Sequence, residues 1–239
     1  MAGLPRAVLF DLDDTIISAY GRPLEAWRAV VAEFDRELAP LEAATVVATI
    51  TSAANAFWAD DDNAARWRKD LRAARRAIVG QAFAQLGAAA SHRALQDRLA
   101  DRFSDFRDEE MKLFPDAHET IDALRARGVR LALITNGAGA AQRAKITRFA
   151  LETRFDHFQI EGEHDFGKPD PRAYHHALNA LGVIPQDAWI VGDNLEWEVI
   201  APQKLGMYAI WYDPHGDGIP DNHPAKPDRI VRSLTELLG

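Results

Sequence analysis

The sequence predicts an α/β protein: a parallel sheet covered by helices and interrupted by an all-helical insertion. Three observations carry this. The run Ala7-Val8-Leu9-Phe10 reads as a buried strand and ends abruptly in Asp11-Leu12-Asp13-Asp14-Thr15. From Gly21 to about Met111 strand signals vanish and apolar residues recur at three- and four-residue spacing. After Pro115 helices alternate with short apolar strands, the pattern of a parallel sheet joined by right-handed crossovers.

The elements follow in order. Burying carboxylates at the end of the first strand is costly unless a cation or proton compensates them, although an acidic turn is the alternative reading of this stretch. Leu24, Trp27, Val31, Phe34 and Leu38 form one apolar stripe behind Pro23, which suits the first position of a helix. A second helix is expected through Leu41 to Trp58. Asp60-Asp61-Asp62-Asn63 reads as loop and N-cap, and the alanine-rich Arg66 to Leu86 as a third helix ended by Gly87. Ser91 is placed to cap a fourth, with Leu95, Leu99, Phe103 and Phe106 on one side.

Ala117, Ile121 and Leu124 then mark a helix that stops at Gly128, and Val129 to Ile134 a strand. A helix through Gln142 to Phe149, a strand near Phe155 to Ile160, and a helix with Tyr174, Leu178 and Leu181 on one face come next. The strand Ala188 to Val191, a short helix from about Leu195 to Leu205, and the strand Met207 to Tyr212 complete the alternation. Arg229 to Val231 is a last strand, and Ser233 with Glu236 has the spacing of a capping box for a terminal helix. Because the first strand belongs with the later ones, residues 1–18 and 112–239 form one domain and residues 19–111 are inserted into it, within ordinary domain sizes.

Composition narrows the function. A net charge of −8 and a pI near 5.5 argue against a nucleic-acid surface, since phosphate backbones are met by basic patches. No apolar run approaches the ~18 residues that would span a membrane, and the residues before the first strand lack a signal-peptide layout. The absence of cysteine excludes disulfides, a thiol nucleophile and cysteine-based zinc sites, and fits a cytoplasmic setting.

In an open parallel sheet, ligands bind at the carboxyl ends of the strands. There the chain places Asp11, Asp13 and Thr15; Thr135-Asn136-Gly137; and Gly192-Asp193-Asn194, with Lys168 between the last two in Gly167-Lys168-Pro169-Asp170-Pro171. Asn136-Gly137 alone suits a hairpin turn, but a helical pattern follows it. Lys168 alone would ordinarily be a solvated lysine and Gly192-Asp193 a turn. Together they supply what phosphoryl transfer needs: carboxylates for Mg²⁺ and for nucleophilic and acid–base roles, hydroxyl and amide donors for phosphate oxygens, and a lysine for negative charge.

On these four segments, DLDDT at 11–15, TNG at 135–137, Lys168 in GKPDP and GDNLEWE at 192–198, the chain resembles the haloacid dehalogenase superfamily across the whole sheet domain. The resemblance implies a Rossmann-like sheet of strand order 5-4-1-2-3 with a type-1 helical cap, and an aspartyl-phosphate mechanism. Asp11 would be the nucleophile and Asp13 the general acid, then base. Thr135 and Lys168 would hold the phosphoryl group, and Asp193 would bind Mg²⁺ with Asp11 and the Asp13 backbone carbonyl. Thr15, Asn136, Gly137 and Asn194 are further candidate substrate contacts. The sequence departs from the family where a second aspartate is usual: it has Glu198, with Glu196 nearby, and Glu198 is expected to reach the metal through water. Asp14 reads as turn chemistry.

The expected substrate is a small phosphorylated metabolite, such as a sugar phosphate, a nucleotide or phosphoglycolate, and the expected protein a monomer or homodimer. Gln142-Arg143-Ala144-Lys145-Ile146 and Glu161-Gly162-Glu163 look like acylneuraminate-9-phosphatases, and phosphoglycolate phosphatases look nearly as close. Two alternatives are a 2-haloacid dehalogenase on the same scaffold, a branch that generally lacks a carboxylate at the position of Asp13 and needs no metal, and a non-enzymatic phosphate-binding regulator. In the insertion, Trp27, Trp58 and Trp67 suit core packing better than ring stacking on substrate. Arg66, Arg68, Lys69, Arg72, Arg75 and Arg76 suit a solvated face better than an anion funnel. His164 reads as an exposed loop residue.

Overall fold

Six parallel strands form the main sheet in the computed structural model of this chain, which describes residues 3–88 and 92–239. In chain order the elements are β1 (Ala7–Phe10), β2 (Ile17–Ser18), α1 (Pro23–Glu33), α2 (Asp35–Leu38), α3 (Ala43–Trp58), α4 (Asp61–Trp67), α5 (Leu71–Gln85) and α6 (Arg93–Glu110). Then come β3 (Lys112–Leu113), α7 (Ala117–Ala126), β4 (Arg130–Thr135), α8 (Gly139–Arg148), β5 (His157–Ile160), α9 (Pro171–Leu181), β6 (Ala188–Gly192), α10 (Ala201–Gln203), β7 (Tyr208–Tyr212) and β8 (Arg229–Val231).

The sheet order is β5-β4-β1-β6-β7-β8. Counting only the first five, this is the expected 5-4-1-2-3 order, and β8 adds a sixth strand on one edge. β1 lies at the centre, with Leu9 opposite Ala132 of β4 and Ile190 of β6. All four β1 residues are fully buried, because a parallel sheet is covered on both faces and every side chain must be apolar. Ala7 and Leu9 pack with Ala173, Tyr174, Ala177 and Leu178 of α9. Phe10 instead meets the edge of Phe155, with ring centroids 6.2 Å apart. At the far end Ser233 and Glu236 make the expected capping box, over a short 3₁₀ helix, Leu234–Leu238.

The chain divides between Ser18 and Ala19, and again between Met111 and Lys112, into two compact units. In the sheet unit, β2 and β3 pair antiparallel, Ile17 opposite Leu113, and bring the two ends of the intervening segment together. The other unit is all-helical. Trp27 of α1 stacks on Phe103 of α6 with centroids 3.6 Å apart, while Trp58 and Trp67 pack around Phe57.

Three expectations change in the helical unit. The first helix breaks at Phe34, and the exposed Leu24 leaves its apolar stripe. The third becomes two, α4 and α5, with Asp60 and Asp70 each accepting a backbone N–H three residues on. Asp70 stands where alanine-rich propensity predicts continuity, and its cap outweighs that weak preference. Ser91 lies outside the described residues. Among the described residues no helix is long and apolar enough to cross a membrane.

Candidate active site

The last rung of the central strand positions the first candidate. The Asp11 amide still donates to the Val191 carbonyl at 2.9 Å, so its side chain emerges at the carboxyl edge of the sheet. Immediately beyond, the Leu12 carbonyl accepts the amides of Ile16 and Ile17, and Asp14 takes a left-handed backbone (φ 60°) that aspartate tolerates. This tight turn keeps Asp11, Asp13 and Thr15 beside the strand end. Thr15 is fully buried with its hydroxyl unpaired.

Lys168 is the charged centre. Its side chain is 0% exposed, and Nζ donates to Asp11 Oδ1 at 2.5 Å and Glu198 Oε1 at 2.6 Å. Burial works against an ammonium here, but the charges of Asp11 and Glu198 and their hydrogen bonds outweigh it and raise the lysine pKa. The backbone of Lys168 is clasped by Asn136, whose Nδ2 donates to its carbonyl at 2.6 Å while Oδ1 accepts its amide at 2.8 Å. The Asn136 side chain thus positions Lys168. Asp170 caps α9 and Pro171 occupies its first turn, which fixes the loop from the other side.

Asp13 is held by helix α8. Lys145 Nζ donates to both Asp13 oxygens, at 2.7 and 2.8 Å, and Gln142 Nε2 donates to Oδ2 at 2.9 Å. The same Gln142 nitrogen donates to the Thr135 hydroxyl at 2.5 Å, tying the Asp13 turn to the end of β4. The Gly137 amide donates to Glu161 Oε2 at 3.0 Å.

The fourth segment departs furthest from expectation. Asn194 is an N-cap: its Oδ1 accepts the amides of Glu196 and Trp197. The residues Leu195–Ile200 form a π turn before α10, where Pro202 lacks the amide an α-helix would direct at the Glu198 carbonyl. Tyr174 pins this turn by donating to the Trp197 carbonyl at 2.5 Å. Glu198 is fully buried, and both its oxygens are engaged: Oε1 by Lys168 and Oε2 by the Asn194 amide at 2.9 Å. Through these contacts it anchors Lys168, a role that its spacing alone does not indicate. Gly192 is required beneath it, because a Cβ there would lie 2.1 Å from Glu198 Cγ. Burial, reinforced by the charge of Asp11, lifts the Glu198 carboxyl to about 7.

Does the site suit a divalent cation? Asp193 is pushed well above the ordinary carboxylate range by burial and then by the charges of Asp11, Glu198 and Asp14, and Asp11 is raised chiefly by burial. The carboxyl groups of Asp11, Asp13, Asp193 and Glu198 outnumber the two ammonium groups beside them, Lys145 and Lys168. Among the described residues no three acidic or histidine side chains converge on one point. Mg²⁺ does not need three, because it commonly takes one or two carboxylates and completes its shell with water. The donor set therefore fits Mg²⁺ held by Asp11, Asp193 and a backbone carbonyl. The Trp211 indole steadies that region by donating to the Asp193 carbonyl at 2.6 Å.

Sequence reasoning missed the roles of Gln142, Lys145 and Glu161. The available signal was the burial of α8: Gln142 and Lys145 stand three residues apart beside Ile146, on the face a helix turns inward. His164 also differs from a lone exposed residue, stacking on Phe166 and lying 4.6 Å from His176 between ring centroids. Within the helical unit, Arg72 and Arg76 pair with Asp105 and Asp101, and Arg75 lies over the Phe103 ring.

A parallel sheet whose carboxyl edge gathers a strand-end aspartate, a buried lysine and an acidic turn is the frame of a Rossmann-like hydrolase. A family model for haloacid dehalogenase-like hydrolase matches residues 5–206, and the chain belongs to that family. A phosphoserine phosphatase of Thermus thermophilus is 39% identical over 127 residues, 53% of this chain and half of its own length. An N-acylneuraminate-9-phosphatase of Rattus norvegicus is 28% identical and aligns with 97% of this chain and 92% of its own. Among solved structures, a HAD-hydrolase from Bacillus subtilis bound to magnesium superimposes with a TM-score of 0.71 at 22% identity, covering 98% of this chain and 97% of its own.

Proposed function

We propose that the protein is a Mg²⁺-dependent phosphomonoesterase that hydrolyses a small phosphorylated metabolite through phosphorylated Asp11. The observation that carries this is the buried Lys168 bridging Asp11 and Glu198. It holds one Asp11 oxygen and leaves the other to attack phosphorus, and its charge favours an incoming phosphoryl group. The ester P–O bond breaks as the Asp11 O–P bond forms, and Asp13 gives its proton to the departing oxygen. Asp13 then takes a proton from the water that attacks the acyl phosphate, releasing inorganic phosphate and restoring Asp11. Thr15, with its unpaired hydroxyl, and Thr135 are donors for the phosphoryl oxygens. Bound Mg²⁺ would neutralise charge shared between phosphoryl and carboxylate oxygens.

The named phosphatase relatives support phosphate esters of small metabolites as the substrate class. The helical unit is assigned the role of a cap that selects the leaving group, and the cysteine-free composition supports a cytoplasmic site of action. The dehalogenase alternative is disfavoured because Asp13 is present and tethered by Lys145 and Gln142. A screen of phosphorylated metabolites and an aryl phosphate, with Mg²⁺ and with a chelator, tests the proposal. Phosphate release abolished by chelation is expected. Metal-independent turnover, halide release from a halocarboxylate, or phosphate binding without turnover would each overturn it.

A further inference from the structure

We infer that Lys145 and Gln142 are positioning residues that aim the Asp13 carboxylate, so that helix α8 sets the acid–base half of the reaction. The inference rests on the phosphatase reading above and adds two residues to it. The geometry is specific. Lys145 contacts both Asp13 oxygens and Gln142 contacts Oδ2, so three hydrogen bonds from two donor atoms hold the carboxylate and restrict its rotation. Both side chains are at most a tenth exposed, in contrast to the solvated lysines typical of a surface helix. They stand three residues apart on one face of α8, so a single rigid element presents both donors. Gln142 also reaches the Thr135 hydroxyl, which couples the aim of Asp13 to a phosphoryl-binding residue. Lys168, by contrast, holds a single oxygen of Asp11. Asp11 and Asp13 thus each have a buried lysine, one from the loop before α9 and one from α8.

A carboxylate that only transfers protons contributes ~10²–10⁴ when the leaving group is poor and little when it is good. Loss of its aim should therefore show the same selectivity. In Lys145→Met, kcat on an alkyl phosphate should fall about 10- to 100-fold with KM nearly unchanged, a fraction of that full contribution. An aryl phosphate should still give a fast first turnover, followed by a slow phase as the Asp11 phosphate waits for its water. Lys145→Arg, which keeps a cation within reach of both oxygens, should restore much of the alkyl turnover, whereas Gln142→Leu should show a milder form of the same split. Thermal melts should show that each variant is folded. Equal losses on both esters, a rise in KM alone, or no rescue by arginine would overturn the inference. Asp11→Asn serves as the discriminating control. If Asp11→Asn is inactive while Lys145→Met behaves as wild type, the phosphatase reading stands and the clamp falls. If Asp11→Asn keeps its activity, the reading falls and takes the clamp with it.

Discussion

The helical unit and the carboxyl edge of the sheet handle charge in opposite ways. In the helical unit Arg72, Arg76, Arg98 and Arg102 each face a carboxylate, on Asp105, Asp101, Glu37 and Glu33, and these side chains are 29–58% exposed. At the sheet edge the charges are buried, and carboxylates outnumber cations. Exposed pairs contribute little to stability, so the first arrangement is a solvated face. Buried charges are costly unless compensated, and an arrangement that leaves them in excess marks a place kept for chemistry.

The largest effect that tests this contrast is at the opening turn. Asp11→Asn should be inactive on every phosphate ester, because an amide is a poor nucleophile and no covalent intermediate forms. Asp13→Asn should lose alkyl ester turnover yet release about one phenolate per enzyme from an aryl phosphate before stalling. Rapid-quench measurement of that burst, with acid-stable phosphate on the protein, checks both. An Asp13→Asn enzyme equally slow on both esters, with no burst, would show that the two aspartates do not divide the labour.

Next in size is the stability carried by Lys168. Removing one partner of a buried pair leaves its carboxylates uncompensated, at about 3–5 kcal/mol. Lys168→Met should therefore shift the urea midpoint strongly at neutral pH without metal. Adding Glu198→Gln should recover part of the loss, since one of the stranded carboxylates is gone and contacting residues do not add independently. A small shift for Lys168→Met would mean that water reaches the carboxylates it contacts despite the burial of the lysine.

These two tests use residues that were legible in the sequence, and the reason is physical. Asp11, Thr135 and Asp193 lie at the ends of apolar runs and Lys168 directly precedes a proline pair, so all four can be read without knowledge of packing. Most elements of the sheet unit were legible for the same reason, because buried strands and amphipathic helices have different periods. Asn136 and Asn194 illustrate the limit. Both side chains look like ligand contacts, but one clasps the Lys168 backbone and the other caps a turn, and sequence spacing does not distinguish a backbone partner from a substrate. Lys145 was hidden for a different reason. Its partner Asp13 is 132 residues away, and only the fold brings them together. The break between α4 and α5 escaped because Asp70 acts locally against a long favourable run.

A third test compares the sheet edge with a neutral cluster in the same unit. His157 and His176 lie 5.1 Å apart between ring centroids, with His176 a further 4.6 Å from His164. Burial lowers the pKa of both His157 and His176, helped by the neighbouring imidazoles and, for His157, by Arg143. The unfolded chain therefore binds protons at higher pH than the folded one. Their contribution to stability is complete above the ordinary histidine value of 6.5 and is lost as pH falls through the lowered folded values. His176→Leu should flatten the decline in unfolding free energy between pH 7 and 5, relative to wild type. An unchanged slope would place the acid sensitivity elsewhere.

The smallest expected effect is the complement of the Lys168 result, and it tests the solvated-face side of the contrast. Arg72 of α5 and Asp105 of α6 form an ion pair whose side chains are 49% and 51% exposed, with Asp108 also within 3.6 Å of the guanidinium. Hydrogen bonding to Asp105 raises the arginine pKa, yet both groups remain close to bulk water, where the attraction is screened and ordering two long side chains costs entropy. A double-mutant cycle through Arg72→Ala and Asp105→Ala should return a coupling below ~1 kcal/mol that shrinks further at high salt. The same cycle through Lys168→Met and Glu198→Gln should give a larger coupling that salt barely alters, because the buried pair lies beyond the reach of mobile ions. If the two couplings were of equal size and equal salt sensitivity, burial would not separate the two regions. The excess charge at the sheet edge would then be no stronger a mark of function than the arginines of the helical unit.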